Sequence, residues 1–161
     1  MPYNGGMRVK KTTISYLAGL VDGEGYVGIK KSNYLKSCPS PTYHERIQIR
    51  MVDEPAIALF KKVFGGNYYK ETEHSKYSKR PLYCYQISDL IAAKTLKILL
   101  PYLIIKNRQA RLCLKLRKSK ESKLARKRGN PSGRRMSPKI LSYRDNLWKQ
   151  IKEIHRGASN G

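Results

Sequence analysis

Residues 17 to 25 read Leu-Ala-Gly-Leu-Val-Asp-Gly-Glu-Gly, which sets two carboxylates, Asp22 and Glu24, among three glycines at the end of an apolar segment. Gly23 and Gly25 let the chain turn there, so that a carboxylate and backbone carbonyl oxygens converge on one point. Hard oxygen donors of that kind suit Mg²⁺. The C-terminus of a helix is also the negative end of its dipole, which disfavours an unpaired carboxylate and favours a cation. The same placement would equally suit a solvated glutamate in a helix-to-strand turn. Asp22 and Glu24 are two apart and cannot share a helical face, so they take different jobs and only one belongs at a reactive centre. Gly19 and Gly23 are four apart, with Ala18 beside them, leaving one side of the helix nearly bare and open to close approach by another backbone.

The elements that position this segment follow from periodicity. Thr12 and Thr13 offer an N-cap to a helix of about ten residues whose apolar positions are Ile14, Leu17, Ala18, Leu20 and Val21. From Tyr26 the pattern alternates, with Val27 and Ile29 on one face, and after a Pro-rich turn at 37–41 it alternates again through Ile47 and Ile49, predicting a hairpin. Asp53, Glu54 and Pro55 open a second helix that Gly65 and Gly66 stop. Two Tyr-rich strands follow, over Asn67–Glu73 and Pro81–Ile87. Ser88 caps a third helix that Pro101 interrupts, and Ile104–Lys118 reads as a fourth with Ile105, Leu112 and Leu116 inward. The stretch 118–139 is too rich in Lys, Arg, Ser, Gly and Pro to own a core and reads as a basic loop. Ser137 and Pro138 open a last helix with a stripe of Leu141, Leu147, Trp148, Ile151 and Ile154. The organisation is a single α+β domain over 1–161, with a core at about 12–118, the loop at about 118–139 and the last helix at about 138–155.

Composition narrows the partners. The chain has 161 residues, 34 Lys and Arg against 11 Asp and Glu, and a net charge of +23. Such an excess repels itself unless a polyanion shares the field, and nucleic acid is the default partner. No membrane partner is expected: the most apolar stretch, Leu96–Ile105, carries Lys97 and Pro101 and is half the length of a spanning helix. The first residues lack the apolar run of a secretory signal, which implies an intracellular protein of cytoplasm, nucleoid or an organelle. Cys38, Cys84 and Cys113 form no CxxC pair and are read as reduced thiols. His44, His74 and His155 are scattered, so no zinc site is assigned.

The segment, here LAGLVDGEG, resembles the signature helix of the LAGLIDADG homing endonucleases. The likeness extends from Thr12 to about Lys118, where the order of elements follows that family's αββαββα core. The resemblance implies an antiparallel four-stranded, saddle-like sheet with helices packed on one face, plus an extra C-terminal helix. A single copy of the motif implies a homodimer in which Leu17, Ala18, Gly19, Leu20, Asp22 and Gly23 lie at the two-fold axis. It makes the Glu24 carboxylate and the Gly23 carbonyl the ligands of Mg²⁺ or another divalent cation, with Asp22 capping backbone donors near the helix junction. Pro101-Tyr102-Leu103-Ile104-Ile105-Lys106-Asn107 resembles the region holding the family's active-centre lysine, here Lys106. Asp53 falls where relatives carry a polar residue and is a catalytic candidate as well as a helix cap. The activity implied is site-specific, metal-assisted double-strand cleavage of DNA with short 3′ overhangs, by an intron-encoded enzyme. The rivals are a cleavage-inactive nucleic-acid binding protein, including an RNA-splicing maturase, and an RNA-structural protein.

A strand of about nine residues spans roughly 30 Å, close to one turn of major groove, so a dimer would cover a pseudo-palindrome of about 20 base pairs. Alternation aims Tyr26, Lys30, Ser32, Tyr34, His44, Arg46, Gln48, Arg50, Lys70, Thr72 and Gln86 at the duplex, a mixture of bidentate base readers and adaptable hydroxyls. Arg126, Lys127, Arg128, Arg134 and Arg135 in the basic loop would grip phosphates outside that footprint.

Overall fold

The structure, a computed structural model, describes residues 9–32, 40–71, 80–122 and 136–158. Helix α1 (Lys11–Glu24) leads into β1 (Gly25–Ser32), followed by β2 (Thr42–Met51), α2 (Glu54–Phe64), β3 (Asn67–Glu71), β4 (Leu82–Ser88) and α3 (Asp89–Leu99). A 3₁₀ turn (Leu100–Tyr102), α4 (Asn107–Glu121) and α5 (Pro138–Ala158) complete the chain. The four strands form one antiparallel sheet in the order β1-β2-β4-β3. The fold is α+β with the helices on one face of that sheet. No described helix is long and apolar enough to cross a membrane.

The core lies between the inner sheet face, which contributes Val27, Ile29, Ile47, Ile49, Tyr85 and Ile87, and the apolar stripes of α1 to α4. Tyr85 is fully buried and its hydroxyl donates to the Gly65 carbonyl. Glu45 shares this inner face through strict alternation with Tyr43 and Ile47 and is completely buried. Arg117 and Lys120 of α4 donate to its Oε2 at 2.8 and 2.9 Å, and Lys120 also reaches Asp89 at 2.9 Å. A carboxylate taken out of water needs that pairing, and the pairing ties α4 to the sheet.

Several boundaries differ from expectation. Helix α1 runs through Gly23 to Glu24 and starts at Lys11 with no side-chain cap, so neither Thr12 nor Thr13 caps it. The burial of Ile14, Leu17 and Val21 outweighs the cost of two helical glycines, roughly 1 kcal/mol each against alanine. Gly25 then passes directly into β1, and a Cβ there would come within 2.6 Å of the Val21 carbonyl oxygen. Only glycine lets the strand leave the helix so close. Helix α4 begins at Asn107, not Ile104, and Ile105 is 69% exposed instead of inward.

Candidate active centre and nucleic-acid interface

Asp22 and Glu24 separate cleanly in space. Asp22 is buried, and its carboxylate accepts three backbone N–H groups from the segment ahead of α4: Ile104 at 2.7 Å, Ile105 at 3.2 Å and Lys106 at 2.9 Å. The Lys106 ammonium donates to the Asp22 backbone carbonyl. The negative end of α1 thus meets the positive end of α4, and the carboxylate takes up the N–H groups of the turn that leads into that helix. Asn107 braces the same turn by donating to the carbonyls of Leu100 and Leu103, both at 3.1 Å. The result is a lysine held against the end of the motif helix by residues more than eighty positions apart.

Glu24 is the last residue of α1 and its side chain is exposed. Burial pushes the Lys106 ammonium below the usual lysine range, while the Asp22 and Glu24 carboxylates pull it back up. The described residues contain no group of three His, Cys, Asp or Glu side chains placed to hold a metal ion. One chain offers a single exposed carboxylate beside backbone oxygens at a helix C-terminus. That donor set fits Mg²⁺ bound through one or two carboxylates with waters and phosphate oxygens filling the remaining positions.

Asp53 lies beyond β2, and its carboxylate accepts the Ala56 N–H at 2.9 Å as the N-cap of α2. Leu17 and Ala18 are fully buried in their own chain, so the expectation that they meet a partner is corrected. With 3.6 residues per turn the inward stripe takes 14, 17, 18 and 21, which leaves Tyr16, Gly19, Leu20 and Gly23 on the outer side. A Cβ built at Gly19 or Gly23 would meet nothing within 4 Å. Next to the end of this face stand Ile104, 87% exposed, and Ile105.

The outer face of the sheet carries most of the residues expected on it. Register aligns Tyr26 with Gln48 and Gln86, Gly28 with Arg46, and Lys30 with His44, while Ser32 pairs with Thr42 and Arg50 with Cys84. Lys70 is a correction: it stands opposite Tyr83, on the face that Tyr85 shares, and Tyr69 holds the outward position opposite Cys84. A one-residue slip in so short a strand reverses every side chain. Tyr34, Thr72, Arg126, Lys127, Arg128, Arg134 and Arg135 lie outside the described residues.

Some outward polar side chains already have acid partners. Arg50 bonds Glu71 at 2.7 Å, and His44 sits 2.9 Å from Asp89 and 3.0 Å from Thr42. Arg46 is different, since its Nε is buried with no hydrogen-bond partner. Tyr26 lies down on the sheet over Gly28, with its ring centroid 5.0 Å from that of His155 on α5. Burial lowers the His155 pKa from its ordinary value, against a hydrogen bond with the Val27 backbone that raises it, and the Lys106 ammonium adds to the lowering. The last helix therefore packs beside Tyr26 of β1. Its polar positions 152, 155 and 156 share a face, a spacing that could have marked them in the sequence.

No protein-family model matches the sequence, and no curated protein does. Solved structures do match. The homing endonuclease I-CvuI, crystallised with DNA in the presence of Mg, superposes with a TM-score of 0.71 at 18% identity, over 89% of this chain and 82% of that one. This is the fold of the homing endonucleases. The archaeal intron-encoded homing endonuclease I-Vdi141I, complexed with DNA, gives 0.55 at 14% identity over 84% of this chain and 96% of that one. The meganuclease I-SmaMI, bound to an uncleavable DNA, gives 0.63 at 14% identity over 95% of this chain but 49% of that one. The present chain thus spans nearly the whole length of some neighbours and about half of another.

Proposed function

We propose that the protein is a site-specific, divalent-metal-dependent DNA endonuclease acting as a homodimer. The observation that carries this reading is the junction where Asp22 clamps the segment of Lys106 beside the exposed Glu24, at the end of a glycine-faced helix. Glu24 and the Gly23 carbonyl would hold the cation, which when bound activates water and stabilises phosphodiester oxygens. Lys106 sits where its ammonium can face the charge that develops on the phosphate. The outer residues Lys30, Arg46, Gln48 and Gln86 supply base and phosphate contacts, and a dimer would read a pseudo-palindrome of about 20 base pairs. Short 3′ overhangs, residence inside the cell and an intron-borne gene belong to the same reading.

The test is incubation with a randomised pseudo-palindromic duplex library, with Mg²⁺ or with EDTA, followed by sequencing of new ends. Recurrent double-strand cuts only with Mg²⁺ are expected. Duplexes recovered bound and uncut under both conditions would favour the binding or maturase role instead.

A second copy is the natural occupant of the α1 outer face, because Gly19 and Gly23 permit close helix crossing and Ile104 and Ile105 leave apolar surface beside it. Gly19→Leu is expected to convert dimer to monomer in sedimentation without loss of helix content. An unchanged dimer would place the interface elsewhere.

A further inference from the structure

Strand β1 is an edge strand, and α5 runs beside it. Between them lies a groove of about 710 Å³. Its floor is the Tyr26 ring lying over Gly28, where an added Cβ would come within 2.4 Å of the tyrosine hydroxyl. The sheet wall presents Lys30, Arg46 and Gln48, and the helix wall presents Lys152, His155 and Arg156. No carboxylate lines it among the described residues.

Charge in this groove is poorly compensated. Lys31 is taken up by Asp145 at 2.6 Å, but the Lys152 ammonium rests on an aromatic face, 4.6 Å from the Trp148 ring centroid. Arg156 is exposed, and Arg46 brings a buried Nε with no hydrogen-bond partner. Cations collected in a concave site without acids focus a positive field and favour a polyanion there. Tyr26, Lys30, Arg46 and Gln48 also belong to the outer sheet face, so a duplex on that face runs into the groove at its edge.

We propose that this groove is a seat for the DNA sugar-phosphate backbone, in which Lys152 and Arg156 of α5 contact phosphates where the duplex leaves the β1 edge. The inference rests on the DNA-binding reading above and adds a second wall to it. Arg46 and Gln48 on the sheet wall can read base edges, whereas Lys152 and Arg156 stand off the sheet on the helix wall where phosphates would pass, so the two walls divide sequence readout from backbone grip. The Tyr26 ring on the floor and the His155 ring on the helix wall lie 5.0 Å apart, a contact that sets the helix wall against the strand.

The experiment is a salt titration of binding to a mixed-sequence 40-base-pair duplex by the full chain, by the Lys152→Ala/Arg156→Ala double variant and by a Lys97→Ala/Lys115→Ala control. The control removes the same charge from exposed positions of α3 and α4 on the helix layer. The groove variant is expected to flatten the slope of log K against log salt by about 2, at roughly 0.9 for each phosphate that is no longer neutralised, with the control close to the parent. An unchanged slope, or equal flattening in both variants, would overturn the proposal while leaving DNA binding by the sheet intact. A parent chain that fails to bind the duplex at all would overturn the DNA-binding reading and this inference together.

Discussion

Glu24→Gln is expected to lower Mg²⁺-dependent double-strand cleavage by about 10³-fold or more while leaving DNA binding and thermal stability close to the parent. The magnitude corresponds to about 4 kcal/mol of transition-state stabilisation, the range set by losing a metal-bound oxygen at a phosphodiester. Glutamine keeps the size and one carbonyl oxygen but not the charge that holds a hard cation. Stability should be spared because the side chain is exposed at the last position of α1. Binding should be spared because one anion is removed from a surface meant for phosphates. The assay is cleavage of the randomised duplex library, run beside a duplex-binding titration and a melting curve. Loss of folding or of dimerisation in this variant would make Glu24 structural, and retained cleavage would move the metal elsewhere.

The fold was legible where local signals agreed with packing. Strand alternation set Val27, Ile29, Ile47, Ile49 and Ile87 inward, and Asp53 with Glu54 and Pro55 announced α2 because a cap and a proline act through their own neighbours. Legibility failed where a distant contact decided the outcome. Ile104 and Ile105 have the apolar character of a helix start, yet their N–H groups turn toward Asp22, which holds the chain out of α4 and leaves both side chains exposed. Ala18 and Gly19 are both small, and smallness does not say which side of α1 is buried. The outward position in β3 belongs to Tyr69 and not Lys70 because β3 has five residues and its pairing with β4, not its own pattern, sets the register. Glu45 obeys its alternation but looks like a surface residue, since its partners Arg117 and Lys120 lie over seventy positions away. The approach of α5 to Tyr26 depends on packing across the sheet edge, which a stripe of Trp148, Lys152, His155 and Arg156 only hints at.

Asp22→Leu is expected to cost the folded chain about 3–5 kcal/mol, a drop of roughly 10–15 °C in melting temperature for a domain of this size. Leucine fills similar space but accepts nothing, so the N–H groups of Ile104, Ile105 and Lys106 lose their acceptor at a buried position. An unsatisfied buried donor costs about 1–3 kcal/mol, and the substitution takes the side-chain acceptor from three N–H groups at once. Asp22→Asn should fall between the two, because one carboxylate oxygen becomes an N–H₂ that faces backbone donors while the other still accepts. Cleavage would fall in both variants through displacement of Lys106, and the melting curves separate this from the Glu24 effect. Melting and denaturant titration of the two acid variants side by side give the decisive contrast. A stable Asp22→Leu with cleavage abolished would instead assign Asp22 to the chemistry. A large stability loss in Asp22→Leu with none in Glu24→Gln is what the clamp requires: neighbouring acids in one motif, one spent on holding a lysine-bearing turn and the other left open at the helix end.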